Sequence, residues 1–248
     1  MSGHSKWNSI KHQKAAADAK RGAAFTKLAN AVALAAKKGG PDPETNFSLR
    51  LAIQKAKAAN MPAANVERSI KRGSGQLAGD QIEEITYEGY GPGGSAIIIE
   101  TATDNRNRTG PDVRTALSKS GGRLADTGSV TYQFDQKGVI RLETDDLEAA
   151  TLDAIEAGAD DVAEEGGALI VYTLANQLGA VRTKLTEAGY DVTSAELAYL
   201  PKTSIVIDDQ KVAQQLLRLM DVLDEMDDVT ATHANFDFSD ELTESQGA

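Results

Sequence analysis

The hydrophobic period of this chain changes once, near Ile82, and that change limits the class of fold. Upstream, Phe25, Leu28, Ala29, Val32 and Ala36 recur at i, i+3, i+4 and i+7, the stripe of a helix that buries one face. Downstream, short strand-like runs such as IEEITYE (82–88), SAIIIETA (95–102) and SVTYQF (129–134) alternate with helical stretches. Such a chain is neither all-helical nor all-β. At 248 residues it also exceeds the usual size of one core, so two or three domains are expected.

In the first part, residues 1–22 read as a basic arm running into the first helix. Gly39-Gly40 ends that helix, with Lys37 and Lys38 in its last turn. Asp42-Pro43 reads as an N-cap followed by an N1 proline, and the next helix runs through Phe47, Leu51 and Ala58. Pro62 opens a short helix carrying Val66 and Ile70, stopped by Gly73-Ser74-Gly75. In the second part, Gly89–Gly94 joins two strands, and a helix is expected from Pro111 to Ser120. From Gly138 the order becomes strand 138–143, helix 147–157, strand 161–164, strand 168–173, helix 176–188, strand 192–199. That is β-α-β-β-α-β, the ferredoxin-like arrangement. Strand 204–207, helix 210–225 and strand 229–237 follow. The expectation is an α+β multidomain protein: a basic helical domain (1–80), a discontinuous α/β domain (81–135 plus 203–240), and an inserted acidic βαββαβ domain (136–202).

Charge divides close to the same boundary. Residues 1–75 carry fourteen Lys and Arg against four Asp and Glu, while the remaining 173 carry twelve against thirty-three. A basic block on a protein of net charge −11 points to polyanions, above all nucleic acid. Within it, Lys6, Lys11, Lys14, Lys20, Arg21 and Lys27 supply cations. Trp7 is suited to base stacking or to anchoring the arm, and His12 to hydrogen bonding with phosphate. Asn105-Arg106-Asn107-Arg108-Thr109, between strand and helix, reads either as an anion site using Arg106 and Arg108 or as loop salt bridges.

Other chemistries lack their residues. With no cysteine there is neither a disulfide nor a thiolate, and His4, His12 and His233 lie too far apart to suggest a metal cluster. The G-x-G-x-x-G spacing at 89–94 is followed by a strand, not the helix that a dinucleotide site needs. Ten acids between Glu143 and Glu165 have no intervening base; they read as a solvated face, or as a docking surface for a basic protein. No catalytic site, metal or cofactor is expected. No run approaches the ~18 apolar residues of a membrane span, so a cytoplasmic protein is expected.

Five stretches then resemble the YebC/PmpR family, which includes a mitochondrial translational activator of cytochrome oxidase: GHSKWNSIKHQKAAADAKRGAAFTKL (3–28), ANMPAANVERSIKRGSG (59–75), YEGYGPGG (87–94), DNRNRT (104–109) and GSVTYQF (128–134). The resemblance implies a helical N-terminal domain followed by two α/β domains. It also implies regulators of gene expression that bind DNA, or translation factors that associate with the ribosome and relieve stalling. Carried onto this chain, the family's basic surface falls on Lys6, Lys11, Lys14, Lys20, Arg21, Lys27, Arg68, Lys71 and Arg72, with Arg106 and Arg108 from the loop. Implied partners are DNA or ribosomal RNA, with ribosomal proteins in addition. Ala29-Asn30-Ala31 departs from the family, which often has an Arg-Glu pair there. A protein-interaction module built on the acidic domains is the alternative, and an enzyme ranks below both.

Overall fold

The computed structural model describes residues 21–77, 81–239 and 241–242. Helices α1 (Arg21–Gly39), α2 (Phe47–Ala58) and α3 (Ala63–Gly73) form the N-terminal bundle. Its core sets Phe25, Leu28, Ala29, Val32 and Ala36 of α1 against Leu49, Ala56, Met61 and Val66. The expected stripe is therefore the buried one. Asp42 is not the cap of α2. Asn46 is: its Oδ1 accepts the Leu49 N–H at 3.0 Å, while its Nδ2 donates to Ala35 O and Gly40 O at 2.8 Å. One buried amide thus satisfies orphan groups at the end of α1 and the start of α2 together.

The next layer is an antiparallel sheet of order β3-β1-β2-β9, made from β1 (Glu83–Tyr90), β2 (Ala96–Thr103), β3 (Arg123–Ala125) and β9 (Val229–Ala234). Helices α4 (Arg106–Lys119) and α7 (Gln210–Glu225) cover one face, with Ile97, Ile99, Val113, Leu117, Leu216 and Leu219 between them. On the other face Ile98 meets Val130, Phe134 and Tyr199. β2 is covered on both sides, and that is why SAIIIETA reads as an unbroken apolar run rather than an alternation. The Gly-rich stretch between β1 and β2 is a hairpin connection; Gly93, at φ 69°, takes the left-handed conformation the turn requires.

Residues 134–201 build a second sheet from their own strands alone. These are β4 (Phe134–Glu143), β5 (Asp161–Glu165), β6 (Ala168–Leu174) and β7 (Asp191–Pro201), in antiparallel order β5-β6-β4-β7. Helices α5 (Leu147–Ala157) and α6 (Leu178–Glu187) pack on one face through Ala150, Ala154, Val181 and Leu185. This is the ferredoxin-like unit. It is inserted in the chain of the first sheet, and its ends lie side by side: Phe134 and Pro201 are register partners.

Four elements differ from expectation. The strand expected over 129–134 is absent up to 133; a bend and a single 3-10 turn (Thr131–Gln133) occupy it, and only Phe134 is extended, as the first residue of β4. The cause is Glu88, whose carboxylate accepts the N–H groups of Gly128, Val130 and Thr131 at 2.6–3.0 Å and so removes them from any ladder. α4 begins at Arg106 and not at Pro111, because Asn105 caps it by accepting the Arg108 N–H at 3.2 Å. Pro111 sits inside, where its missing N–H forfeits one intrahelical bond. The segment 229–237 is broken at Asn235, which turns its side chain to Ala96 N and Gln133 Oε1. β10 (Phe236–Phe238) then pairs in parallel with β8 (Ile205–Ile207), so β8 stands outside the four-stranded sheet.

Candidate nucleic-acid interface

α1 is buried along two faces. Opposite its bundle stripe, Lys27, Asn30, Leu34 and Lys37 recur along the helix and meet the neighbouring α/β domain. Lys27 Nζ donates to Asp224 O at 2.9 Å and Lys37 Nζ to Ile82 O at 2.6 Å. Asn30, 5% exposed, donates to Ala102 O at 3.2 Å and accepts from Arg72 Nη2 at 2.5 Å. Ala33 packs with Leu34, Ile82 and Ala102 beside it. Asn30, which departs from the family pattern, therefore joins α1, α3 and β2 at one point.

The two arginines of this seam are engaged by acids. Arg72 Nη1 lies 3.8 Å from Asp104, and its buried Nε has no hydrogen-bond partner among the described residues. Arg108 donates from Nη2 to both oxygens of Asp228, at 2.9 and 3.1 Å, and to Asp104 at 3.3 Å. The hydrogen bonds and charge of Asp228 hold Arg108 above its ordinary pKa. Asp228 is buried and also accepts from Thr109 at 2.7 Å and Thr103 at 3.2 Å. DNRNRT thus carries a helix cap and an ion-paired hub, which is the salt-bridge reading of that loop.

The remaining described candidates face outward. Arg68 and Lys71 are exposed, three apart on the outer side of α3, while Val66 and Ile70 point into the bundle. Arg106 is exposed in the first turn of α4, and its charge partly offsets the burial that raises the Tyr87 pKa. Arg21 opens α1, but its side chain lies outside the described set. Lys6, Trp7, Lys11, His12, Lys14 and Lys20 fall outside the described residues altogether.

Three cations that the sequence reading passed over complete the outer surface: Arg50, Lys55 and Lys57, all exposed on α2. The available signal was an acid-free stretch, Phe47–Ala58, with three cations in twelve residues. Among the described residues no group of His, Cys, Asp and Glu is placed to hold a metal. A cleft of about 230 Å³ in the inserted domain is lined by Asp135, Lys137, Asp160, Asp161 and Tyr172. Lys137 is paired with Asp160 there, and burial pushes Tyr172 up to about 12, so its hydroxyl is a donor and not a base at neutral pH. No helix among the described residues is long and apolar enough to cross a membrane.

Two family models match this architecture in chain order. The TACO1/YebC N-terminal domain covers residues 5–76, and the TACO1/YebC second and third domain covers 82–236. The chain belongs to the TACO1/YebC family. Its relatives within that family include proteins named "Probable transcriptional regulatory protein" from Halothermothrix orenii, 46% identical over 98% of each chain, and from Synechococcus sp. strain JA-3-3Ab, 50% identical over 99% of each. The crystal structure of a conserved hypothetical protein from Aquifex aeolicus superposes with a TM-score of 0.81 at 42% identity, covering 91% of this chain and 93% of that one. In this TACO1/YebC chain the junction of the two models, residues 77–81, lies between α3 and β1. There the bundle gives way to the first sheet.

Proposed function

We propose that this protein is a nucleic-acid-binding regulator of gene expression, a binding factor and not an enzyme. Its basic helical domain (1–80) grips the phosphate backbone of DNA or ribosomal RNA. The observation that carries this reading is the outer surface of α2 and α3, where Arg50, Lys55, Lys57, Arg68 and Lys71 are all exposed. The described part of that domain, residues 21–77, has ten Lys and Arg against three acids, on a protein whose net charge is −11. The relatives' name supports regulation of gene expression. Work in the cytoplasm on DNA, or on the ribosome to relieve stalling, extends that name. The α/β domains (81–135 plus 203–240, and 136–202) orient the bundle and meet ribosomal or other proteins. Arg72 and Lys27 serve this function chiefly by fixing the bundle on its neighbour, and Arg108 by tying Asp104 to Asp228 within that neighbour. Arg68, Lys71 and Arg106, with the basic arm, contact phosphate.

The test is the pair Arg68→Glu with Lys71→Glu, sedimented with intact ribosomes in the presence of competing duplex DNA and titrated separately on that duplex. Binding weakens, and the log–log salt slope on the duplex becomes shallower by about 0.9 for each lost contact. An unchanged affinity and slope would refute this surface. Travel with ribosomes despite competitor assigns the protein to translation; retention of one duplex over a scrambled one assigns it to transcription. A second reading, docking of a basic protein on the acidic domain, is favoured by exposed Leu152 and Ile155 on α5, flanked by Glu148, Asp153 and Glu156. Complex formation that survives the double charge reversal would favour it.

A further inference from the structure

One ring at the edge of the bundle gathers two cations from two domains. Phe47 opens α2, and the Arg182 guanidinium carbon, from α6 of the inserted domain, lies 3.6 Å from its ring centroid. The guanidinium carbon of Arg50, one turn along α2, lies 5.8 Å from the same centroid. Cation–π attraction accounts for either arginine on its own. It does not account for both, since like charges beside one ring repel. Loss of water around Arg182, and then the charge of Arg50, pull the Arg182 pKa below its ordinary value.

Among the described residues, neither arginine has a carboxylate to answer this. Arg50 donates to the Glu44 carbonyl at 3.3 Å and Arg182 to the Thr183 hydroxyl at 3.4 Å; no ion pair with a described residue forms at either. The contrast is with Arg72 and Arg108, each within 4 Å of an acid. The inserted domain, acidic as a whole, has no Asp or Glu from Gly166 to Lys184, the stretch that brings Arg182 to the bundle. On α2, Phe47, Arg50, Gln54 and Lys57 follow i, i+3, i+7, i+10, and the last three are exposed. Cations spaced along one exposed helix face suit a surface that tracks the backbone of a single nucleic-acid strand.

From this geometry we infer that Phe47, Arg50 and Arg182 form a nucleic-acid subsite shared by the bundle and the inserted domain. One phosphodiester bridges the two guanidinium groups, and the strand continues along α2 past Gln54 to Lys57. The inference rests on the nucleic-acid reading above and adds a second domain to the contact. It gives the α6 arginine a role in holding ligand, where packing alone would leave two like charges uncompensated.

The test measures binding of a fluorescent single-stranded oligouridine across a salt series for wild type, Arg50→Ala, Arg182→Ala, the double variant and Arg182→Lys. Each alanine variant is expected to weaken binding about ten- to a hundredfold, the worth of one charge-assisted contact. The double variant, which frees the shared phosphate, should make the salt slope shallower by about 0.7, and each single variant by less. The double variant loses less than the product of the two single losses, because one phosphate serves both. Arg182→Lys keeps most of the slope, which a merely structural clip would not require. If Arg182→Ala binds like wild type while Arg68→Glu/Lys71→Glu fails, the shared subsite is wrong and the nucleic-acid reading stands. If wild type binds neither the oligouridine, duplex DNA nor ribosomes, both fall.

Discussion

Glu88 shows how one side chain converts two sequence motifs into a single constellation. It stands in YEGYGPGG, and the N–H groups it collects belong to GSVTYQF, forty residues on; Tyr90 reinforces the join by donating to Ser129 O at 3.0 Å. Burial pushes the Glu88 carboxyl up, but the hydrogen bonds from Thr131, Gly128 and Val130 outweigh it and hold the group below the ordinary carboxylate range. A group with a depressed folded pKa stabilises the protein above its unfolded pKa and loses that contribution as pH falls through the folded value. Glu88→Gln should therefore cost about 1–2 kcal/mol at neutral pH, with the gap from wild type closing below pH ~4. Urea melts of both proteins across pH 3–7 would check this (the pH limits bracket the ordinary carboxylate pKa of ~4.3); a gap independent of pH would remove the charge from the account. Neither motif disclosed this role, because the partners are distant in sequence and every backbone N–H looks alike there.

Among the elements, α1 and α3 cross in close contact. A Cβ at Gly73 would stand 2.0 Å from Ala33 O, so only glycine lets the end of α3 lie against α1. Gly73→Ala should force the helices apart and cost about 1–3 kcal/mol, as overpacking does. Because Arg72 precedes it and reaches Asn30, hydrogen exchange should quicken at the Ile82 and Ala102 amides as well as in the bundle. From the sequence, Gly73 is simply a helix stop. Periodicity disclosed the helices well: the expected helix over 147–157 is α5, and the buried stripe of α1 is the one its spacing gives. It failed wherever a polar side chain overrode local preference, as with Asn46 before α2, Asn105 before α4 and Asn235 within the last strands. The candidate cations were visible as charges. Which of them face solvent was not, since Lys27 and Arg72 occupy a second buried face that no single-helix pattern marks.

The molecule as a whole keeps opposite charges on separate bodies, and the seam between bundle and first sheet joins a small apolar patch (Ala33, Leu34, Ile82, Ala102) to directed polar contacts from Lys27, Asn30 and Lys37. The inserted unit carries its own core, with α5 and α6 on a sheet complete in itself. Replacing residues 136–200 by a short Gly-Ser link should leave the bundle and the first sheet folded, with a cooperative thermal transition and slow exchange at Ile97 and Ile99. Loss of that transition would show that Tyr199, whose apolar contact covers Ile98 beside Phe134, is needed from the intact unit. The pairing of Phe134 with Pro201 has a mechanical consequence. The chain enters and leaves the inserted unit at one place, as a door is hung on two adjacent pins, so the two crossings brace each other. The contact of Arg182 with Phe47 is then a further tie between the inserted unit and the bundle, and nucleic acid held by Arg50 and Arg182 together would strengthen it.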